Sequence, residues 1–356
     1  MKNLNKKQIV LAVVIIAVIV GLAMLFTLNK EEFNSKGQLG AEKNPSINEE
    51  TDIERTELIK ERKPARWSED VSMITTDEGI KAPIPEGFTK LDITNNINEG
   101  IVIEDKDGNQ FVWVPTTVTN FEKRDLIGQV TNSIQTLKNE PTKKSFWEDP
   151  TTEEYIDMKE SVEKYGGFYI ARYEASYASG DSISNYKPAS KKSMTNSLKE
   201  MQYVEGTLWN FVSQEDAIQI SKNMYAESQS VESHLIYAVE WDTTMQWLID
   251  SKSKTLYEVA RDSTTWGNYT NDTFSGTENA GNTGQWEETK ANNIYDLAGN
   301  IWEWTYEKYE DDEQCSIRGG RAGGTQMQYP AAMRAVNFTD TEVTPVVGFR
   351  VALYIK

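Results

Sequence analysis

The stretch Asn293-Ile294-Tyr295-Asp296-Leu297-Ala298-Gly299-Asn300-Ile301-Trp302-Glu303-Trp304 decides how this chain is read. Trp302 and Trp304 alternate with Glu303, so on an extended backbone two indole rings point one way and a carboxylate the other. That pattern predicts a strand with both tryptophans in a core. Gly299 just before it, and Gly319, Gly320 and Gly348 downstream, read as tight turns or points of close backbone approach. Arg350 sits in the apolar tail Val346-Val347-Gly348-Phe349-Arg350-Val351-Ala352-Leu353, which predicts a buried strand. In that setting it reads as a buried ion-pairing or hydrogen-bonding residue. Asp296 and Glu303 are left as the better functional candidates.

Working outward, short apolar runs alternate with turn residues. Ile101-Val102-Ile103 and Phe111-Val112-Trp113-Val114 flank a turn containing Asp107-Gly108, which predicts a hairpin, and Pro115 ends its second strand. Residues 167–174 (GFYIARYE) predict another strand. Ser213, with Asp216 three positions on, opens a helix whose apolar stripe is Ala217, Ile218, Ile220 and Met224. A second helix is predicted over Val239–Ile249, with Trp241, Met245 and Leu248 on one face. Residues 262–289 are rich in Gly, Asn, Thr and Asp, a long irregular segment of the kind that carries function or lacks fixed structure. Few helices, several short strands and long loops predict an α+β domain.

These motifs, taken in order, carry a resemblance. Phe111–Pro115, Gly167–Glu174, Val212–Ala217, Glu240-Trp241-Asp242, Trp266-Gly267-Asn268, Asn293–Trp304, Arg318-Gly319-Gly320 and Gly348-Phe349-Arg350 follow one another. The series resembles the formylglycine-generating enzyme (sulfatase-modifying factor) family, whose irregular α+β fold is related to C-type lectins. The resemblance covers residues from about Pro83 to the C-terminus. It implies a calcium site made by the side chains of Asp296 and Glu303 and the main-chain carbonyls of Gly299 and Ile301. It places a second calcium site in Asn268–Asn282, where the residues do not align clearly.

The catalytic centres of the family have no counterpart. Its oxidases hold copper with two cysteines, which would fall between Gly320 and Arg334, and no cysteine occurs there. Cys315 is the chain's one cysteine and lies before Arg318-Gly319-Gly320. The related iron branch needs several histidines, and His234 is alone; it reads as an incidental surface or capping residue. Neither copper nor iron is therefore expected as a cofactor, and calcium is. One cysteine also leaves no internal disulfide. There is no GxxxxGK[ST] loop and no HExxH motif.

The N-terminal 81 residues have a different texture. Residues 9–28 form an uncharged apolar run, long enough as a helix of ~20 residues to cross a ~30 Å hydrocarbon layer. Lys2, Lys6 and Lys7 precede it and Glu31 and Glu32 follow, so the basic flank is expected inside and the remainder outside. A cleaved signal peptide is the weaker reading, because the run is long and ends without a small-x-small site. The expected organisation is a cytoplasmic tail over 1–8, a single transmembrane helix over 9–28, a polar stalk over 29–81 and the α+β domain over 82–356. The net charge of −18 repels phosphate backbones and makes nucleic acid an unexpected partner.

The reading of function that follows is a membrane-anchored extracytoplasmic binding or structural domain on the family's scaffold, without copper oxidase activity. Its ligand would be a glycan or a protein, gripped by loop aromatics such as Trp266, Tyr269, Trp286 and Tyr329. The alternative is an enzyme of unrecognised chemistry, for which a polar cleft near Arg350 would be the sign and a side-chain-filled interior there the counter-sign. A structural component of a surface assembly would instead show a large exposed apolar patch.

Overall fold

The computed structural model describes residues 67–356 apart from 69, 132–146, 194–203, 270–279, 310–313 and 324–328. The strands in chain order are β1 (Val71–Thr75), β2 (Lys81–Pro85), β3 (Phe88–Lys90), β4 (Val102–Asp105), β5 (Gln110–Pro115), β6 (Trp147–Glu148), β7 (Gly167–Ala171), β8 (Ser176–Ser179) and β9 (Lys187–Ala189). They continue with β10 (Val231–Leu235), β11 (Lys290–Ala291), β12 (Ile294–Tyr295), β13 (Trp302–Tyr309), β14 (Gln314–Arg318), β15 (Ala335–Thr339), β16 (Val347–Phe349) and β17 (Val351–Ile355). The helices are α1 (Leu126–Thr131), α2 (Glu153–Tyr165), α3 (Gln214–Asn223), α4 (Ala238–Asp250) and α5 (Leu256–Ala260). The class is α+β, as the sequence predicts. The apolar span over 9–28 lies outside the described residues. Among those described, no helix is long and apolar enough to cross a membrane.

An antiparallel six-stranded sheet, ordered β10-β17-β7-β5-β4-β3, organises the domain. It is buried on both faces, and the alternation of side chains sorts its residues. Val112, Val114, Phe168, Ile170, Ala352 and Tyr354 join one core with α2 and α4. Phe111, Trp113, Tyr169, Val351, Leu353 and Ile355 join the other, with α3 and the second sheet. That second sheet runs β15-β14-β13-β16, with β13 and β16 parallel. Trp302 and Trp304 of β13 are buried in the core between the sheets, as their spacing predicts.

The helix expected at Ser213 forms, with the Ser213 hydroxyl accepting from the Asp216 amide at 3.1 Å. The helix expected over 239–249 forms as α4. The strand expected over 346–353 is instead two strands meeting at Arg350, one in each sheet. The chain changes sheets at that residue, as strands do at the corners of packed sheets. The boundary at residue 82 also needs correction. β1 lies inside the expected stalk, yet it pairs with β2 over its whole length, from Val71 opposite Pro85 to Thr75 opposite Lys81. All described residues, from Trp67 to Lys356, belong to one compact unit.

Candidate functional site

The turn between β12 and β13 is built from unusual backbone. Asp296 and Asn300 both hold the left-handed conformation, at φ 59° and 62°, and Gly299 between them at 79°. Among non-glycine residues, Asn and Asp enter this region most readily, and surrounding bonds hold them there. Here the Asn268 amide donates to the Ala298 carbonyl at 3.0 Å, and the Asn300 amide donates to the Asn268 carbonyl at 2.9 Å. The Gly299 amide donates to the Gly319 carbonyl at 2.8 Å, which ties the turn to the Arg318-Gly319-Gly320 motif. A Cβ on Gly299 would lie 2.2 Å from the Asn268 carbonyl oxygen, so no other residue fits.

Beneath the turn lies a polar interior. Arg350 donates through Nε and Nη2 to the two oxygens of Glu303, at 2.9 and 2.6 Å. Nη1 donates to the Ala171 carbonyl at 3.1 Å and Nη2 also to the Tyr295 carbonyl at 3.0 Å, so the guanidinium ties β7, β12 and β13 to the start of β17. Glu174 accepts from the Asn300 side-chain amide and from the Ile301 backbone amide. Asp296 accepts through Oδ2 from the Gly284 amide at 2.7 Å and the Thr283 hydroxyl at 3.1 Å. All four charged groups are buried. Three carboxyl groups thus face one guanidinium in a buried interior. Burial pushes Glu174 well above the usual carboxylate range, with Asp296 and Glu303 adding repulsion against the pull of Arg350. Asp296 and Glu303 are raised by burial as well.

The model of the sulfatase-modifying factor enzyme 1-like domain matches residues 150–355, more than half of the sequence and the whole of this interior. The chain belongs to that family. Among solved structures it is similar to PvdO from Pseudomonas aeruginosa, at 13% identity and a TM-score of 0.41, over 71% of this chain and 97% of that one. It is also similar to Treponema denticola variable protein 1, at 12% identity and a TM-score of 0.31, over 52% of this chain and 95% of the other. The search of the curated proteins returned no match.

Within this sulfatase-modifying factor domain, the expected calcium ligands can be tested for fit. Asp296 Oδ1 is buried and has no hydrogen-bond partner among the described residues, and the same holds for Asn268 Oδ1 and Asn282 Oδ1. Uncharged and anionic oxygens without donors, in an interior with surplus negative charge, match what a hard divalent cation requires. Glu303 fits less freely, because each of its oxygens already accepts from Arg350. No group of three or more His, Cys, Asp or Glu side chains able to hold a metal ion occurs among the described residues. A cation at Asp296 would therefore rest on that carboxylate and main-chain carbonyls, with Glu303 shared.

Other candidates resolve differently. Trp266 and Tyr269 are core residues: the indole donates to the Glu258 carbonyl, and the phenol donates to the Tyr329 and Gly319 carbonyls. They do not form a binding surface. Trp286 and Tyr329 are half-buried, Tyr329 with its ring 5.1 Å from that of Trp302. His234 is not at the surface: it is fully buried on β10, with Nε2 at 2.9–3.0 Å from both oxygens of Glu240. Cys315 is buried on β14 beside Gln214, and burial pushes its thiol up to about 12.

The sequence reading missed Glu174, Asn268 and Asn300 as members of the interior, although each stands in a quoted motif. A charged residue closing the apolar strand Gly167–Ala171 was the available signal for Glu174. It also missed a second buried network. Asp242 pairs with both Arg318 and Arg334, Glu307 accepts from Arg334 at 3.0 Å, and Lys123 lies 3.7 Å from Glu307. Beside them Asp149 accepts from the Ala238 and Val239 amides at 2.8 and 3.0 Å, capping α4 from outside the helix. Burial, and then Glu307, push its carboxyl up to about 7.

Proposed function

We propose that this protein is a membrane-anchored extracytoplasmic binding or structural domain, in which the sulfatase-modifying factor scaffold serves without the copper oxidase chemistry. The turn over Asp296–Glu303 is stapled by calcium. One observation carries the reading: the interior keeps oxygen ligands, with Asp296 Oδ1 unpartnered, and the chain has a single cysteine where copper needs two. Calcium would be held by Asp296 and Glu303 with the carbonyls of Gly299 and Ile301, supplying charge balance to the interior rather than chemistry. Asn268 and Asn282 add oxygens for a second cation. Each nitrogen of the Arg350 guanidinium donates at least one hydrogen bond, which favours a filled interior over a reactive cleft. The apolar run over 9–28 supplies the anchor, and the ligand would be a glycan or a protein met outside.

The test is elemental analysis of the purified full chain, paired with melting in calcium and in chelator. Bound calcium and a lower melting temperature in chelator are expected. Stoichiometric copper or iron would overturn the non-catalytic reading, and indifference to calcium would remove the staple. Flotation of the chain with membranes tests the anchor separately.

A further inference from the structure

The two edges of the β1–β2 sheet are closed unequally. On the far side of β2, Pro83 and Pro85 have no N–H to offer, and the Pro83 carbonyl accepts from the Tyr169 hydroxyl at 2.5 Å. That side is closed to a further strand. β1 is different. The register sets Val71, Met73 and Thr75 opposite Pro85, Pro83 and Lys81. Proline cannot donate, and the Thr76 amide donates to the Ile80 carbonyl at 2.9 Å, so Ser72, Ile74 and Thr76 are the residues bonded across the hairpin. The amides and carbonyls of Val71, Met73 and Thr75 therefore point to the outer edge. Among the described residues no strand pairs with that edge. The Asn95 side-chain amide, donating to the Thr75 carbonyl at 3.4 Å, bounds it at one end. Exposed edges are ordinarily blunted by lysine, proline or a bulge. The strand VSMIT carries no charge, proline or glycine, and its register with β2 is unbroken.

The surroundings say what fits there. Met73 on the strand, Ile80 at the hairpin turn and Ile93 are large apolar side chains left exposed. Ile93 belongs to the same face of the domain, since Asn95 holds Asp77 through its side chain at 2.8 Å. Exposed carboxylates stand at both ends of the strand, Asp70 before it and Asp77 and Glu78 after it, with Lys81 opposite Thr75 the cation of the hairpin. We infer that the outer edge of β1 is a docking site for an extended segment of a partner protein, neutral at its centre and basic at both ends, which adds a third strand to the β1–β2 sheet. Main-chain bonds to Val71, Met73 and Thr75 supply affinity, and the carboxylates at the two ends select the flanks. A second copy of this chain fits less well. Antiparallel pairing centred on Met73 would set Asp70 of each copy against Thr76 and beside Asp77 of the other, like charge on like. The inference goes beyond the reading of the Asp296–Glu303 turn and does not depend on it.

The experiment titrates the full chain in detergent against a fluorescein-labelled peptide, Lys-Lys-Thr-Val-Thr-Val-Thr-Lys-Lys, followed by fluorescence anisotropy. Binding is expected, and glutamates in place of the lysines should abolish it. Of two forms N-methylated on alternate central amides, one should bind and the other should not, because an edge strand bonds through every second residue. Met73→Pro removes an outward amide without taking a bond from β2, and should weaken binding about fivefold. Asp70→Asn combined with Asp77→Asn should weaken it about threefold. Equal binding of the two N-methylated forms, or undiminished affinity in a Met73→Pro chain of unchanged melting temperature, overturns the strand addition. Absence of peptide binding overturns the inference, and self-association that Met73→Pro abolishes would then give the edge to a second copy.

Discussion

Two buried ion pairs make the case at the scale of single residues. Arg350 and Glu303 are both fully buried and joined by two charge-assisted bonds, and the same guanidinium serves two backbone carbonyls. Removing one partner leaves the other buried without its counter-charge, so Arg350→Met should cost about 3–5 kcal/mol in denaturant unfolding, and a change below about 0.5 kcal/mol would show the pair to be dispensable. His234 and Glu240 form the second pair. Burial opposes the imidazolium, but Glu240 prevails and holds the His234 pKa above its ordinary value. A group raised in the fold stabilises it fully below the unfolded value near 6.5, and that contribution fades as pH rises through the folded value. His234→Gln should therefore flatten the fall in stability above neutral pH. A variant that retains the wild-type slope would trace that slope to other groups.

At the scale of elements, what the sequence disclosed depended on periodicity. The hairpin of β4 and β5, the helices α3 and α4 and the indole alternation of β13 all carry regular spacing, and they form where that spacing puts them. Trp266 and Tyr269 carry none. They stand in irregular backbone, and the Tyr269 hydroxyl is held by carbonyls fifty and sixty residues away, so no periodicity marked them as core. The division of the last strand at Arg350 was hidden for a related reason: both halves are apolar, and only the choice of sheet differs. The N-terminus of α4 shows the same long-range control, since Asp149 caps it across about ninety residues of chain. Its carboxyl titrates near 7 in the fold against 3.8 in the reference state. Between those values the unfolded chain ionises freely while the fold must keep the proton or bury a charge, so stability falls as pH rises through this window and is level above it. Asp149→Asn keeps one carbonyl acceptor and removes the charge. It should abolish that part of the pH dependence in thermal melts between pH 4 and 7, and an unchanged profile would assign it elsewhere.

At the scale of the whole molecule, the question is where the folded unit begins. The polar texture up to Lys81 argued for a stalk, because β1 (VSMIT) is short, half-exposed and flanked by charged residues. Its apolar side chains nevertheless have a destination: Val71 and Ile74 pack against the core between the two sheets, over β2 residues Ala82 and Ile84, which are buried. Complete burial of a valine or isoleucine stabilises by about 1.5–3 kcal/mol, so two half-buried ones are worth about 2 kcal/mol together. For a unit of this size that corresponds to about 3 °C in melting temperature. The contacts of Trp67 and Ser68 with Tyr165 and Lys356 add to it. A chain beginning at Trp67 should therefore melt several degrees above one beginning at Ala82, which also uncovers the edge of β2 and should aggregate more readily. Equal melting temperatures and equal solubility would mean that β1 is carried by the domain without supporting it. The boundary read from composition would then be the functional one after all.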